Sequence, residues 1–243
     1  MINGAAQWLP YCGAAPSPAE LLGRWNLDPP LIVVLAVLLA LMWRITETEA
    51  QRRTLAAAAA LALFLFVLPF CALSSALFSA RVTHHVLLAA VLAPLLVFAL
   101  PAHRSRLPGS LSLWTGLQAI VFWLWHAPGL YEAALSNDLT YWLMQLTIVG
   151  TAFGFWSALR PASGLSAVAA LLVSTVQMGL LGALITFART PLYAPHFLTT
   201  APWGLDALED QQLAGLIMWA PSAGLYLGAA LFIAQRWLKR EYA

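Results

Sequence analysis

The chain has 243 residues, of which 61% are hydrophobic and only 9% carry charge. Soluble domains contain about 25% charged residues, so this composition excludes an ordinary soluble protein and indicates an integral membrane protein. The formal net charge is +2, and no basic run is long enough to follow a phosphate backbone, so we expect no nucleic-acid partner.

Seven apolar runs predict seven membrane-spanning helices; a full span takes about 20 apolar residues, and the first of these runs is short. A proline-rich tail over residues 1–28 precedes them, and a short basic tail over residues 236–243 follows. The predicted spans cover approximately residues 31–43, 54–73, 82–100, 111–126, 139–159, 165–188 and 211–235. We therefore expect an all-α integral membrane protein with a single domain, a seven-helix bundle over about residues 29–235 that is surrounded by lipid.

The distribution of basic residues predicts how this bundle is oriented. Arginine and lysine are enriched in short loops on the cytoplasmic side. One set of span ends carries nine of the twelve basic residues, namely Arg44, Arg52, Arg53, Arg104, Arg106, Arg160, Arg236, Lys239 and Arg240. The other set carries only Arg24, Arg81 and Arg189. The N-terminus is therefore predicted to lie outside and the C-terminus inside.

The start of the third predicted span carries a concentration of ionisable groups. Arg81, His84 and His85 stand at the head of about 16 residues that contain no other charge. Ionisable groups in lipid are costly and are kept mainly where they have a function, so this cluster is a candidate site. The alternative interpretation is that the three side chains mark the water interface of a spanning helix.

Potential metal ligands gather on the predicted outer side of the membrane. Four of the five histidines and both cysteines fall there: His84, His85, His126, His196, Cys12 and Cys71. Imidazole and thiolate are good ligands for copper or zinc, so a metal site is one interpretation. The other is a set of interfacial histidines hydrogen-bonded to loops, because the chain has no Cys-x-x-Cys and no His-x-x-x-His motif. The sequence leaves open whether the two cysteines pair.

The acidic start of the seventh predicted span also has two interpretations. Asp210 is placed to cap its own helix, because acids in a first turn complement the helix dipole. It is also a candidate ion-pair partner for Arg81, and Glu132 is the other candidate at that level. Gln211 needs a polar partner inside the bundle, such as Arg81 or Tyr141.

Several segments taken together resemble one protein family. They are Phe78-Ser-Ala-x-x-x-x-His85, Trp125-His126-x-Pro128-x-Leu130-Tyr131-Glu132, Leu181-Gly-Ala-Leu-x-Thr186, Thr190-Pro-Leu-Tyr193, and Glu209-Asp210-Gln211-Gln212 with Met218-Trp219-x-Pro221 after it. This pattern, over about residues 70–235, is similar to the multi-spanning CtaG family of cytochrome c oxidase assembly factors. The resemblance implies a seven-helix membrane bundle that helps to build the copper-containing centre of a haem–copper oxidase.

The chain departs from the pattern of this family at positions that the resemblance assigns to metal binding. The family usually carries histidine where Arg81 stands, and a second His-x-x-x-His where this chain has Tyr141 and Gln145. Arginine cannot ligate a metal because it keeps its proton. The copper site is therefore either lost or rebuilt, and the residues available to rebuild it are His85, His126, His84 and Cys71. Around them we expect a polar network of Arg81, Glu132, Tyr141, Gln145, Asp210 and Gln211.

These patterns predict a non-enzymatic assembly factor or accessory protein for a cytochrome c oxidase in the bacterial inner membrane. Its expected partners are oxidase subunits and a periplasmic copper chaperone, and its expected cofactor is copper, delivered or inserted at the periplasmic side. One alternative is a metal-free scaffold in which Arg81 pairs with Asp210 or Glu132. Another is an intramembrane zinc hydrolase, for which the sequence offers no clear set of three ligands.

Overall fold

The computed structural model describes residues 8–241, and all regular secondary structure in that range is helical. The α-helices are α1 (Pro29–Ile45), α2 (Glu49–Phe66), α3 (Phe70–Ala76), α4 (Phe78–Leu87), α5 (Ala93–Ala99), α6 (Ala102–Ser105), α7 (Leu111–Trp125), α8 (Pro128–Ser136), α9 (Asp138–Leu159), α10 (Gly164–Thr186) and α11 (Ala207–Glu241). Short 3-10 turns lie at Leu21–Gly23, Ala194–His196 and Ala201–Trp203. The predicted all-α class is confirmed for the described part of the chain.

A helix lies at each of the seven predicted spans, but the helices differ in length. Four segments are long and apolar enough to cross a membrane, namely Phe78–Ala99, Asp138–Leu159, Gly164–Thr186 and Ala207–Arg240. A fifth crossing results if α2 and α3, which meet at a 42° bend, form one span. The apolar helices α1 and α7 have only 17 and 15 residues. The structure thus indicates a multi-pass membrane protein, while the count of seven and the orientation of the termini stay predictions.

Side-chain caps explain where several helices begin. Asp28 accepts a hydrogen bond from Leu31 N, and the two prolines that follow it suit the first turn of α1. Thr48 and Gln51 form a reciprocal capping box at the start of α2. The helix α4 has no side-chain cap from its own N-terminal flank. Its first N–H groups are instead bonded by Asp210, which belongs to α11.

The helices α4 and α5 form one continuous segment that is joined by a π-helical turn over Leu88–Leu92. Pro94, near the start of α5, has no N–H to donate, and its ring crowds the carbonyl one turn earlier. A wider turn before the proline accommodates both effects. The segment begins at Phe78, four residues before the predicted start at Val82. The histidines and the arginine of the candidate site therefore lie within the first three turns of a helix.

Close packing between helices depends on a single glycine where α7 meets α9. A Cβ atom on Gly154 would overlap the Trp114 ring, whereas a Cβ atom on Gly150 would meet nothing within 4 Å. The indole of Trp114 thus packs directly against the α9 backbone. The two glycines lie one turn apart on the same helix and form a matched pair for mutation.

We expect Gly154→Ala to lower the free energy of unfolding by about 1–3 kcal/mol, because an overpacked interface forces the Trp114 ring out of its position. Gly150→Ala should leave stability unchanged or raise it by up to about 1 kcal/mol, since alanine favours the helix. Thermal unfolding in detergent measures both effects. Equal effects of the two substitutions would contradict the proposed role of Gly154.

Candidate functional site

Helices α4, α7, α9 and α11 bring buried polar side chains together at one end of the bundle. Residues 8–28, helix α8 and the loop over residues 187–206 lie at this end, which we call the covered end. The segment from Phe78 supplies Arg81, His84 and His85, and each of these side chains is 0% exposed. His126, at the C-terminal end of α7, is 3% exposed. The ionisable groups are thus enclosed by protein, which argues against the interpretation that they mark a water interface.

His85 and His126 approach each other directly. His85 Nδ1 lies 3.4 Å from His126 Nε2, and the two rings meet edge to face. His126 Nδ1 lies 2.6 Å from the carbonyl oxygen of Phe122. Because a carbonyl oxygen only accepts hydrogen bonds, Nδ1 carries the proton and Nε2 presents its lone pair to His85. The backbone of α7 thus fixes the tautomer of His126.

His84 points away from this pair. Its Nε2 atom lies 3.2 Å from the carbonyl oxygen of Leu65, and its ring packs against Phe66 and Phe70. The ring centroids of His84 and His85 are 6.0 Å apart. Adjacent residues on a helix are rotated by about 100°, and His84 therefore belongs to the contact with α2 and α3.

Cys71 forms a disulfide bond with Cys12. Only a thiolate is a good metal ligand, so Cys71 in this oxidised state does not supply the sulfur donor that the sequence offered. The bond ties the N-terminal segment to α3. Cys12 Sγ lies 3.5 Å from the hydroxyl of Tyr141, and Tyr11 stacks on the Tyr141 ring at 5.1 Å. Residues next to the disulfide therefore cover the buried polar side chains of α9.

Arg81 is fully buried without an ion pair. Its Nε atom donates to the carbonyl oxygen of Ser74 at 3.2 Å, and its guanidinium carbon lies 5.3 Å from the centroid of the Tyr141 ring. Neither Nη atom has a hydrogen-bond partner among the described residues. The one salt bridge among the described side chains of residues 8–240 is the exposed pair of Arg53 and Glu49. The expected pairing of Arg81 with an acid is therefore wrong for this structure.

Asp210, one of the two acids expected to pair with Arg81, instead caps another helix. Asp210 accepts hydrogen bonds from the backbone N–H groups of Phe78 and Ser79 and from the hydroxyl of Ser79. It thus caps α4, and the cap of its own helix is Asp206, whose carboxylate accepts from Leu208 N and Glu209 N. Negative charge at the N-terminus of α4 is favourable there because the helix dipole is positive at that end.

Glu132 and Gln211 also form no ion pair or hydrogen bond with Arg81 among the described residues. Glu132 is only half-buried on α8, and its carboxylate has no ion pair within the described chain. The Oε1 atom of Gln211 accepts from Leu192 N at 2.6 Å, and its Nε2 atom donates to the carbonyl oxygens of Ile185 and Thr190. Gln211 therefore bonds the loop over residues 187–206 to the start of α11, and its hydrogen-bond partners are not the expected Arg81 or Tyr141.

An aromatic layer closes the covered end above the histidines. It consists of Phe78, Tyr131, Tyr193 and His196, whose rings are packed together. The hydroxyl of Tyr193 donates to the backbone carbonyl of His126 at 2.8 Å, so the layer is bonded directly to the histidine pair. The sequence indicates His196 as a potential metal ligand, but the structure bonds its ring nitrogens to Tyr131 and to the carbonyl oxygen of Ala76. The only signal for the other three residues was that they belong to the motifs that carry the family resemblance.

His196 holds the aromatic layer together as a neutral imidazole. Its Nε2 atom accepts from the hydroxyl of Tyr131 at 2.6 Å, and its Nδ1 atom donates to the carbonyl oxygen of Ala76 at 3.3 Å. The pKa of His196 is lowered to about 3, chiefly by burial; the bond to Ala76 opposes this shift, and the positive charge of Arg81 adds to it. Protonation of His196 would cost the bond from Tyr131, because the cation has no lone pair to accept it.

We therefore expect His196 to make the folded protein sensitive to acid. Its folded pKa lies below the unfolded value of about 6.5, so its contribution to stability is complete above pH 6.5 and is lost as the pH falls towards 3. Between pH 7 and pH 5 this loss amounts to roughly 2 kcal/mol. In His196→Gln the free energy of unfolding should therefore fall by that much less between pH 7 and pH 5, because glutamine can accept and donate without titrating. An unchanged pH dependence in the variant would contradict the role assigned to His196.

The histidine pair has a geometry that fits part of a metal site. Two metal–nitrogen bonds of about 2.0–2.1 Å at a tetrahedral angle place the nitrogens about 3.3–3.4 Å apart. The separation of 3.4 Å between His85 Nδ1 and His126 Nε2 agrees with this value. The bond from His126 Nδ1 to a backbone carbonyl is the usual outer-shell support of a ligating histidine. However, no group of three potential ligands from histidine, cysteine, aspartate and glutamate occurs within residues 8–241.

The fold and this site define a helical membrane protein with a buried polar cluster at one end of its bundle. The family model for cytochrome c oxidase caa3 assembly factors (Caa3_CtaG) matches residues 35–240, which is most of the chain. The protein therefore belongs to this family of assembly factors, and the resemblance read from the sequence is confirmed. Comparison with curated proteins and with solved structures finds no match.

Proposed function

We propose that this assembly factor holds a copper ion transiently at His85 and His126 while the copper centre of its cytochrome c oxidase is built. The observation that carries the proposal is the separation of 3.4 Å between His85 Nδ1 and His126 Nε2. Imidazole is a suitable copper ligand, and a site with only two protein ligands leaves positions for a donor or an acceptor protein. A cargo held in this way can be passed on by ligand exchange.

Two observations support a periplasmic position for this site. Disulfide bonds persist in oxidising compartments, and the bond between Cys12 and Cys71 lies at the covered end. The excess of basic residues at the opposite span ends independently favours a cytoplasmic position for that opposite side. The proposed partners are accordingly oxidase subunits and a periplasmic copper chaperone.

The surrounding residues would prepare the histidine pair for a metal ion. The carbonyl oxygen of Phe122 keeps the proton on His126 Nδ1, which leaves Nε2 free to ligate. The hydroxyl of Tyr193 holds the backbone of His126, and the aromatic layer excludes water. Transfer requires that the loop carrying Tyr193 opens, because His85 is 0% exposed and His126 is 3% exposed.

A metal-free accessory role is the second candidate, and one feature of the site favours it. Arg81 lies one helical turn before His85, and its permanent positive charge opposes binding of a cation there. In this second case the histidines form a structural hydrogen bond and the protein acts as a scaffold during assembly. A zinc hydrolase is disfavoured, because it requires three ligands and an open position and no such group occurs in the described chain. Membership of an assembly-factor family also suggests a non-catalytic role.

Titration of Cu(I) against a competing chelator in detergent separates the two candidates. We expect one copper ion per wild-type chain, and an affinity at least tenfold weaker in His85→Ala and in His126→Ala, since each substitution removes one of two ligands. His84→Ala is the matched control, because this neighbouring imidazole points to Leu65 and should not change the affinity. Wild-type affinity no greater than that of the two ligand variants would reject the copper site and leave the scaffold.

A further inference from the structure

The strongest unexplained feature of the molecule is the unsatisfied hydrogen-bonding capacity around Arg81. The side chain is 0% exposed, and neither Nη1 nor Nη2 has a partner among the described residues. Each of these atoms carries two N–H donors. A buried charge whose donors are left unbonded costs several kcal/mol, and arginine cannot escape this cost by losing its proton.

No carboxylate of the described residues forms an ion pair with this guanidinium. Asp210 is one candidate, but its two oxygens are occupied by the N-terminal N–H groups of α4 and by the hydroxyl of Ser79. Its charge therefore offsets the positive end of the α4 dipole. The ring of Tyr141 covers one face of the guanidinium, which is a weak attraction compared with an ion pair.

A second unsatisfied group lies one turn beyond Tyr141, the residue whose ring faces Arg81. Gln145 is one turn after Tyr141 on the same face of α9, just as His85 is one turn after Arg81 on α4. The side chain of Gln145 is 1% exposed, and neither its Oε1 nor its Nε2 atom has a partner within residues 8–241. Two helices therefore carry buried N–H donors without a partner among the described residues, and those of Arg81 carry a full positive charge.

We infer that Arg81, assisted by the amide of Gln145, binds a small monovalent anion inside the bundle. The anion is of the size of chloride, nitrate or formate, because the site is enclosed and Cys12 and Tyr11 lie over Tyr141. One guanidinium balances one negative charge, so a divalent anion such as sulfate would leave a charge uncompensated in the interior. This site binds an anion, whereas the histidine pair is proposed to bind copper. Because its test uses no copper, the two proposals can fail independently.

The experiment uses the full chain in detergent after exhaustive exchange into sodium gluconate. Chloride, nitrate, formate or sulfate then replaces gluconate at constant ionic strength, and the unfolding midpoint is recorded. The bound anion is also counted by ion chromatography after the protein has been denatured. We expect one chloride, nitrate or formate per wild-type chain, with a midpoint that rises and saturates with its concentration, and no such effect of sulfate.

Arg81→Gln should abolish both the bound anion and the rise in midpoint. If that variant does not fold, Arg81→Lys keeps the charge but loses the paired donors, and we expect at least tenfold weaker anion binding. The control is Arg160→Gln, because Arg160 already donates to Val97 O and Leu100 O and should not affect the anion. Absence of a stoichiometric anion together with a midpoint that does not depend on anion identity would overturn the inference. Retention of the anion in Arg81→Gln would also overturn it.

Discussion

Replacement of both cysteines by serine is expected to lower the stability of the folded protein by about 4 kcal/mol. The bond between Cys12 and Cys71 closes a loop of 59 residues, and in the chain-entropy model a loop of that length contributes about this much. The segment that it fastens also covers the polar interior, because Tyr11 stacks on Tyr141. The free energy of unfolding in detergent measures the loss.

Treatment of the wild-type protein with a thiol reductant provides the matching control. It should lower the unfolding midpoint to that of Cys12→Ser/Cys71→Ser, whereas the double variant itself should not respond to the reductant. Limited proteolysis should cut within residues 8–28 faster in the reduced wild type and in the double variant than in the oxidised wild type. A double variant as stable as wild type would show that the N-terminal segment is held without the disulfide.

The positions of the helices could be read from the sequence, because an apolar run of sufficient length has few other structures available in lipid. Each of the seven predicted runs contains a helix. The predicted start of α4 was less accurate, because the helix begins at Phe78, four residues before the predicted boundary. The cap that allows this earlier start is Asp210, which lies 132 residues away in the chain and leaves no local signal.

The candidate site was predictable only as a set of residue types. The convergence of His85 and His126 joins residues 41 positions apart and could not follow from spacing. The exclusion of His84 depends on a rotation of about 100° towards α2, which a sequence shows only when the helix register and its neighbours are known. The disulfide removes Cys71 from the thiolate ligands, and its pairing was left open by the sequence.

The expected ion pair at Arg81 failed for a physical reason. An acid at this depth of the bundle can either pair with a guanidinium or cap a nearby helix. The N-terminus of an uncapped helix therefore competes with Arg81 for the same carboxylate. In this protein Asp210 caps α4, and Arg81 donates to the carbonyl oxygen of Ser74 and lies over the ring of Tyr141. Position along a span therefore indicates which partners are near but not which bonds form.

The anion inferred at Arg81 also bears on the proposed copper site. A cation at His85 would lie about one helical turn from a permanent positive charge, and at that distance in a low-dielectric interior the repulsion is substantial. An anion between them would screen it. Copper affinity that rises with chloride or formate in wild type, but not in Arg81→Gln, would show that the two sites are coupled.

Asp210→Ala is expected to have the second large effect on stability, a loss of about 3–5 kcal/mol. It leaves two backbone N–H groups of α4 and the hydroxyl of Ser79 buried without an acceptor, and each orphaned group costs about 1–3 kcal/mol. It also removes the negative charge from the N-terminus of α4. Asp210→Asn keeps one carbonyl oxygen as an acceptor and should therefore cost less than Asp210→Ala.

Glu209→Gln is the control for this prediction, because Glu209 is the neighbouring acid in the same first turn of α11 but is exposed. Its substitution should change the unfolding free energy by no more than about 0.5 kcal/mol. If Asp210 served mainly the dipole of its own helix, both substitutions would cost a similar amount of less than about 1 kcal/mol. Hydrogen exchange distinguishes the two cases further. Loss of a cap on α4 should accelerate exchange at Phe78 and Ser79, whereas loss of a first-turn charge on α11 should leave these amides protected.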